Sequence, residues 1–395
     1  MSDPHSPVSA PQTPEIWPNP GPAPLVGYLD AVAGQPVLPV ATQALVAALE
    51  QGWSDPARLH HHGRRAGLVL DTARAAIAEF LRVPVASCFV GSSGSDVLRA
   101  AIMGLYQARL SAGAPARILV GATESMAVTF APRACPGVET VTIPVDAFGR
   151  IDSEAFSAAI SDGAALVCVQ QANAEVGTVQ PVQEVHALCR HAGIPMVSEA
   201  AQVAGHRAIG DAWDVLVAVP RDWGGPPGCA ALVVSPDVRW RPDEAPDRGW
   251  VGGFPDVAAV AAAAAAAEFV EPHWEAQAAH HTAMIDRIRS AAATWPGVQA
   301  VGDPVDRLPH IVTLVADGVG GEIVVTELDK RSIAVASGSA CTADTRMPSH
   351  VLEAMGVFDP RNSGSLRVSL PYGCADASID AFLHEAPLII AAARG

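Results

Sequence analysis

Short apolar runs alternate with amphipathic stretches along most of the chain. Residues 118–120, 140–143, 166–169, 195–198, 215–219 and 230–234 are runs rich in Val, Ile, Leu and Ala, of a length and bounding that predict strands. Between and before them, residues 40–51, 67–81 and 183–192 carry apolar side chains at helical spacing. This alternation predicts an α/β fold with a large, mostly parallel sheet of about seven strands and helices on both faces. Gly91, Gly94 and Gly177 follow strands, where a tight turn or close backbone approach needs them. Residues 25–33 read as an extended segment. A polar, Gly/Pro-rich stretch over 243–255 reads as a junction. Beyond it, helices are expected at 257–269, 275–294 and 322–330, with strands at 310–315 and 365–370, forming a smaller α+β domain. The division is thus a Pro-rich disordered tail over 1–24, a large domain over 25–255 and a small domain over 256–395.

Composition narrows the function. The chain has 395 residues, half of them hydrophobic, and a net charge of -16, which argues against a nucleic-acid partner. The longest apolar run is an alanine-rich stretch too short to span a bilayer, and the tail has no signal-peptide core; a cytoplasmic location is expected. The seven cysteines are scattered without CxxC spacing, so neither a disulfide framework nor a zinc site is expected. His60-His61-His62 are consecutive and do not share a helix face, which favours a surface or contact role over a metal site. One lysine occurs in the whole chain, Lys330.

Several motifs, in order from Tyr28 to the C-terminus, resemble those of class V aminotransferases of the cysteine desulfurase type. They include Tyr28-Leu29-Asp30, Leu59-His60-His61-His62-Gly63-Arg64-Arg65-Ala66, Ala172-Asn173-Ala174-Glu175-Val176-Gly177-Thr178 and Glu199-Ala200-Ala201-Gln202. The most specific is Ser337-Gly338-Ser339-Ala340-Cys341-Thr342, followed by Ser365-Leu366-Arg367-Val368-Ser369-Leu370. The resemblance implies the fold-type I architecture of pyridoxal phosphate (PLP) enzymes, a homodimer, and sulfur removal from cysteine. In that chemistry a lysine forms the resting Schiff base and a loop cysteine becomes a persulfide.

Measured against that pattern, the chain keeps some groups and changes others. Cys341 matches the persulfide cysteine, Arg367 the arginine for the substrate carboxylate, Ser95 a phosphate-loop hydroxyl, and Gln202 the residue beside the cofactor oxygen. Asp222 stands at the Schiff-base lysine, Arg221 at the phosphate-side histidine, Ser125 at the ring-stacking histidine and Glu199 at the aspartate for the pyridine nitrogen. Val251-Gly252-Gly253-Phe254 replaces a run that supplies an interface arginine and threonine.

These changes, taken together, lead us to expect no covalent PLP and no ordinary desulfurase activity. Asp222 is read as filling a vacated site, paired with Arg221. The expected roles are scaffold, regulator or heterodimer partner of an active paralogue, or a sulfur relay through Cys341 that exchanges sulfur with a donor or acceptor protein. The alternative is an active PLP- or pyridoxamine-phosphate-dependent desulfurase or C–S lyase with an unusual base.

Overall fold

The structure, a computed structural model, describes residues 16–18, 21–22, 25–242, 246, 248–337, 349–357 and 363–394. The large sheet contains β1 (Cys88–Gly91), β2 (Arg117–Gly121), β3 (Glu139–Ile143), β4 (Leu166–Cys168), β5 (Met196–Glu199), β6 (Val215–Ala218), β7 (Ala230–Val234) and β8 (Trp250–Val251). Their order is β3-β2-β4-β5-β6-β7-β1-β8, parallel except for β7, which runs antiparallel to both β6 and β1. The α/β, mostly parallel expectation therefore holds, with eight strands rather than about seven. The extra strand, β8, comes from the stretch read as a junction. The six strands expected for this sheet all form; β1 was not among them.

Helices α1 (Pro39–Gln51), α2 (His61–Phe80), α3 (Gly94–Ser111), α4 (Met126–Phe130), α5 (Ser153–Ser161) and α6 (Val182–Ala192) precede or connect these strands. The alanine-rich helix α7 (Val257–Val270) packs against α1 and α2, with small side chains buried on almost every face. It lies in the large core beside Leu38, Leu70 and Trp223. Alanine makes this approach possible, because a helix without long side chains fits between two others. The boundary placed at residue 255 thus falls before a helix that packs with the large domain.

The C-terminal unit contains α8 (Trp274–Ala292), β9 (Val298–Val301), β10 (Ile311–Asp317), α9 (Gly321–Asp329), β11 (Ala336–Ser337), α10 (His350–Ala354), β12 (Ser363–Ser369) and α11 (Asp376–Ala393). Its sheet, β11-β12-β10-β9, is antiparallel throughout. The segment expected to open the large domain joins this sheet instead. Leu25 bridges to Cys374, Tyr28 to Ala334 and Asp30 to Ser369, and Leu29 is fully buried among Leu314, Leu366 and Val368. No helix among the described residues is long and apolar enough to cross a membrane. The 1–24 tail lies largely outside the described residues; Trp17 and Pro22 are within them.

Candidate functional site

The candidate site forms at the C-terminal ends of β5 and β6, where open α/β sheets place their ligands. Strand β5 ends at Glu199, and the turn after it carries Gln202 and His206. Strand β6 leads into a short 3-10 turn, Pro220–Trp223, that presents Asp222.

Asp222 is only 3 % exposed. Its carboxylate accepts the Gln202 backbone N–H at 2.9 Å on one oxygen and the Gln202 side-chain N–H at 2.8 Å on the other. Gln202 sits at φ +62°, a left-handed conformation uncommon outside glycine, which turns both donors onto one carboxylate. Arg221 lies alongside with Nε 3.8 Å from Asp222 Oδ1, but its side chain is half exposed, so the pair is loose. Burial pushes the Asp222 carboxyl up to about 6, against the pull of the Gln202 backbone N–H and Arg221. Lys330 is the C-cap of α9, exposed, with its ammonium 2.6 Å from Glu327 Oε1.

Ser125 donates its hydroxyl to Glu199 Oε2 at 2.6 Å. Burial raises the Glu199 carboxyl; the Ser125 hydrogen bond opposes this and the Asp222 charge adds to it. Glu124 is buried too and raised well above the carboxylate range, chiefly by burial. At the head of α3, Ser93 caps the helix. The hydroxyls of Ser93 and Ser92 donate to Asp96 Oδ2 at 2.7 and 3.1 Å, and Ser95 is exposed in the same first turn.

Arg367 belongs to a second polar group. It is buried on β12, and its Nη2 donates to Asp30 Oδ1 at 3.1 Å. Glu175 lies near it, its carboxyl pushed up to about 7 by burial, against the pull of the Ser349 hydroxyl and Arg367. Cys341 lies outside the described residues. The other six cysteines are buried, and burial pushes every one of their thiols up, Cys88, Cys189, Cys229 and Cys374 to about 12. His60 caps α2 through Nδ1, and no metal-ligand cluster of three or more forms among the described residues.

The sequence did not disclose a buried imidazole stack behind Asp222. His206 donates to the Asp222 carbonyl at 3.0 Å and stacks on His310 at 3.7 Å between ring centroids. His310 in turn lies 3.1 Å from Gln202 Oε1. His281 of α8 and Tyr372 complete the group. Burial pushes His206 down to about 4 and holds the other two imidazoles well below their usual range. Asp30 and Glu175 were visible within matched motifs, whereas nothing local marked His206 or His281.

The class-V aminotransferase family model matches residues 27–382. The chain belongs to that family. Within it, the chain is of the cysteine desulfurase type. It is 32% identical over 379 residues to a cysteine desulfurase of Cereibacter sphaeroides, covering 92% of this chain and 95% of that one. It is 32% identical over 384 residues to an IscS-like cysteine desulfurase of Mycobacterium tuberculosis, covering 93% and 97%. The fold superposes on a solved NifS-like protein with a TM-score of 0.84 at 22% identity, over 93% of this chain and all of the other. The family implies PLP as cofactor and sulfur metabolism as context.

Proposed function

We propose that this class-V protein works without a Schiff-base cofactor, as a non-catalytic partner in sulfur transfer. It would form a homodimer, or a heterodimer with an active paralogue, and serve as scaffold, regulator or sulfur relay. The observation that carries this reading is Asp222, a buried carboxylate held by two Gln202 N–H groups at the position where the resemblance requires an amine. A carboxylate cannot condense with an aldehyde, and the chain's one lysine is engaged with Glu327 on the outside of the C-terminal unit.

The remaining groups do not fit covalent PLP either. Gln202 spends its donors on Asp222, Ser125 is committed to Glu199, and the Ser92 and Ser93 hydroxyls just before α3 are committed to Asp96, with Ser95 left as the exposed loop hydroxyl. A buried carboxylate at Asp222 opposes a phosphate dianion or a ring phenolate nearby. For a relay, the burial and raised thiols of the six other cysteines leave Cys341 as the candidate persulfide carrier.

The test is the absorbance spectrum of purified protein with added PLP, before and after borohydride reduction and dialysis, together with alanine release from cysteine. We expect neither a borohydride-stable adduct nor alanine. Either one would overturn the proposal. One observation favours a second reading: an Asp222 carboxyl near 6 is suited to proton exchange close to neutrality. Non-covalently retained PLP or pyridoxamine phosphate, with turnover lost in Asp222→Ala, would favour that reading, an active desulfurase or C–S lyase.

A further inference from the structure

The family match begins at residue 27, and Trp17 lies outside it. Its indole is nonetheless docked. The ring lies parallel to and offset from Phe269, with centroids 5.4 Å apart and 5° between planes, and meets Tyr372 at 5.2 Å and His273 at 5.3 Å. Phe269 and His273 stand at the corner between α7 and α8, whereas Tyr372 follows β12. One side chain therefore spans the junction between the large core and the C-terminal sheet. Pro22 continues the contact over Gly373, where an added Cβ would lie 3.2 Å from the proline ring.

The indole also fixes protons. Its N–H points to Gln277 Oε1 at 2.8 Å. An indole nitrogen only donates, so Gln277 must turn its oxygen to Trp17 and its NH2 to His281 Nε2, 2.7 Å away. That imidazole nitrogen then accepts and carries no proton. The His281 proton sits on Nδ1, which has no partner. The same Nε2 is 3.1 Å from the Pro371 carbonyl. Protonated, it would donate there; unprotonated, it faces that oxygen lone pair to lone pair.

The neighbouring imidazoles are set the other way. Gln202 gives its amide N–H to Asp222, so its oxygen accepts from His310 Nε2–H. His206 Nε2–H donates to the Asp222 carbonyl. His281 is the odd member of the stack, and the group that decides its tautomer lies upstream of the family fold.

We propose that Trp17 is a cis-acting clasp on this junction, and that its docking selects the His281 tautomer and thereby one of two hydrogen-bond arrangements between α8 and the turn at Pro371. With the indole seated, α8 is tied to the N-terminal segment and His281 makes no hydrogen bond to Pro371. With the indole N–H withdrawn, the Gln277 amide turns over. His281 then moves its proton from Nδ1 to Nε2 and donates it to the Pro371 carbonyl.

The test is two-bond 1H–15N correlation spectroscopy on full-length protein labelled with 15N-histidine, with His281 assigned by its loss in His281→Gln. Wild type should show His281 protonated at Nδ1. Trp17→Phe keeps an aromatic ring in the slot but removes the donor, so His281 should change to the Nε2-protonated pattern while His206 and His310 keep theirs. An unchanged His281 pattern in Trp17→Phe would overturn the proposal, as would an Nε2-protonated His281 in wild type. Trp17→Leu, which removes stacking as well, should also raise backbone hydrogen exchange at Gln277, His281 and Tyr372. Exchange as slow as in wild type would show that the indole clasps nothing.

Discussion

Replacing Asp222 by asparagine isolates the energetic consequence of burying a carboxylate where an amine is expected. The carboxyl rises from an ordinary 3.8 to about 6 in the fold. Each pH unit of such a difference corresponds to about 1.4 kcal/mol, so the group accounts for ~3 kcal/mol of pH-dependent stability. The folded chain holds this proton more tightly than the unfolded chain does. The contribution is therefore complete below pH 3.8 and is lost as pH rises through 6. Asparagine does not titrate, and it can accept only one of the two Gln202 N–H groups; the mismatch at the other costs about 1–3 kcal/mol at every pH. Urea unfolding of both proteins across this range gives the difference in stability, variant minus wild type, in which all other titrating groups cancel. That difference should start negative at low pH and climb by ~3 kcal/mol by pH 7–8. A flat difference, or one that falls with pH, would mean that Gln202 and Arg221 stabilise the charge at least as much as burial opposes it.

Further outcomes follow from the same geometry. Asp222→Lys alone should not produce a borohydride-stable PLP adduct, because Ser125 remains committed to Glu199 and the Ser92 and Ser93 hydroxyls to Asp96; an adduct would show an otherwise intact pocket. Gln202→Ala should lower stability by about 1.5–3 kcal/mol in urea unfolding at neutral pH, since it removes a donor from a buried carboxylate. In Glu175→Gln, the stability difference from wild type should rise with pH as in Asp222→Asn, but with its upper limb near 7, where the Glu175 carboxyl stands in the fold. Native protein treated with a thiol alkylating reagent should take up one equivalent, detected by mass spectrometry, and Cys341→Ser should abolish it.

Much of the large sheet was legible because its central strands are buried on both faces and so read as uninterrupted apolar runs. Strand β1, with its short Cys88-Phe89-Val90-Gly91 run, and the two-residue β8 offer too little pattern for that reading. Helix α2 begins six residues before the apolar spacing becomes visible, because its first turns are the polar run from His61 to Arg65 and its cap is a histidine. Helix α7 was recognised as a helix, yet alanines on all sides give no stripe to say which core it joins. Asp222, Glu199 and Ser125 could be singled out by their places in motifs. Their partnerships could not: Ser125 and Glu199 are 74 residues apart, and Gln202 and His310 are 108 apart. The imidazole stack is assembled entirely by tertiary packing.

The pairing of residues 25–30 with the C-terminal sheet bears on how the chain folds as it is made. Leu29 accepts the backbone N–H of Ser369 and is sealed beneath Leu366 and Val368, so the segment at 25–30 waits for a strand made much later in the chain. The large sheet can assemble during synthesis, while the apolar segment at 25–30 stays exposed until β12 has been made. Closure of so long a loop is entropically costly and late. Refolding should accordingly show a slow phase reported by the C-terminal unit, and a nascent chain stalled before residue 363 should leave Leu29 open to chaperones and proteases.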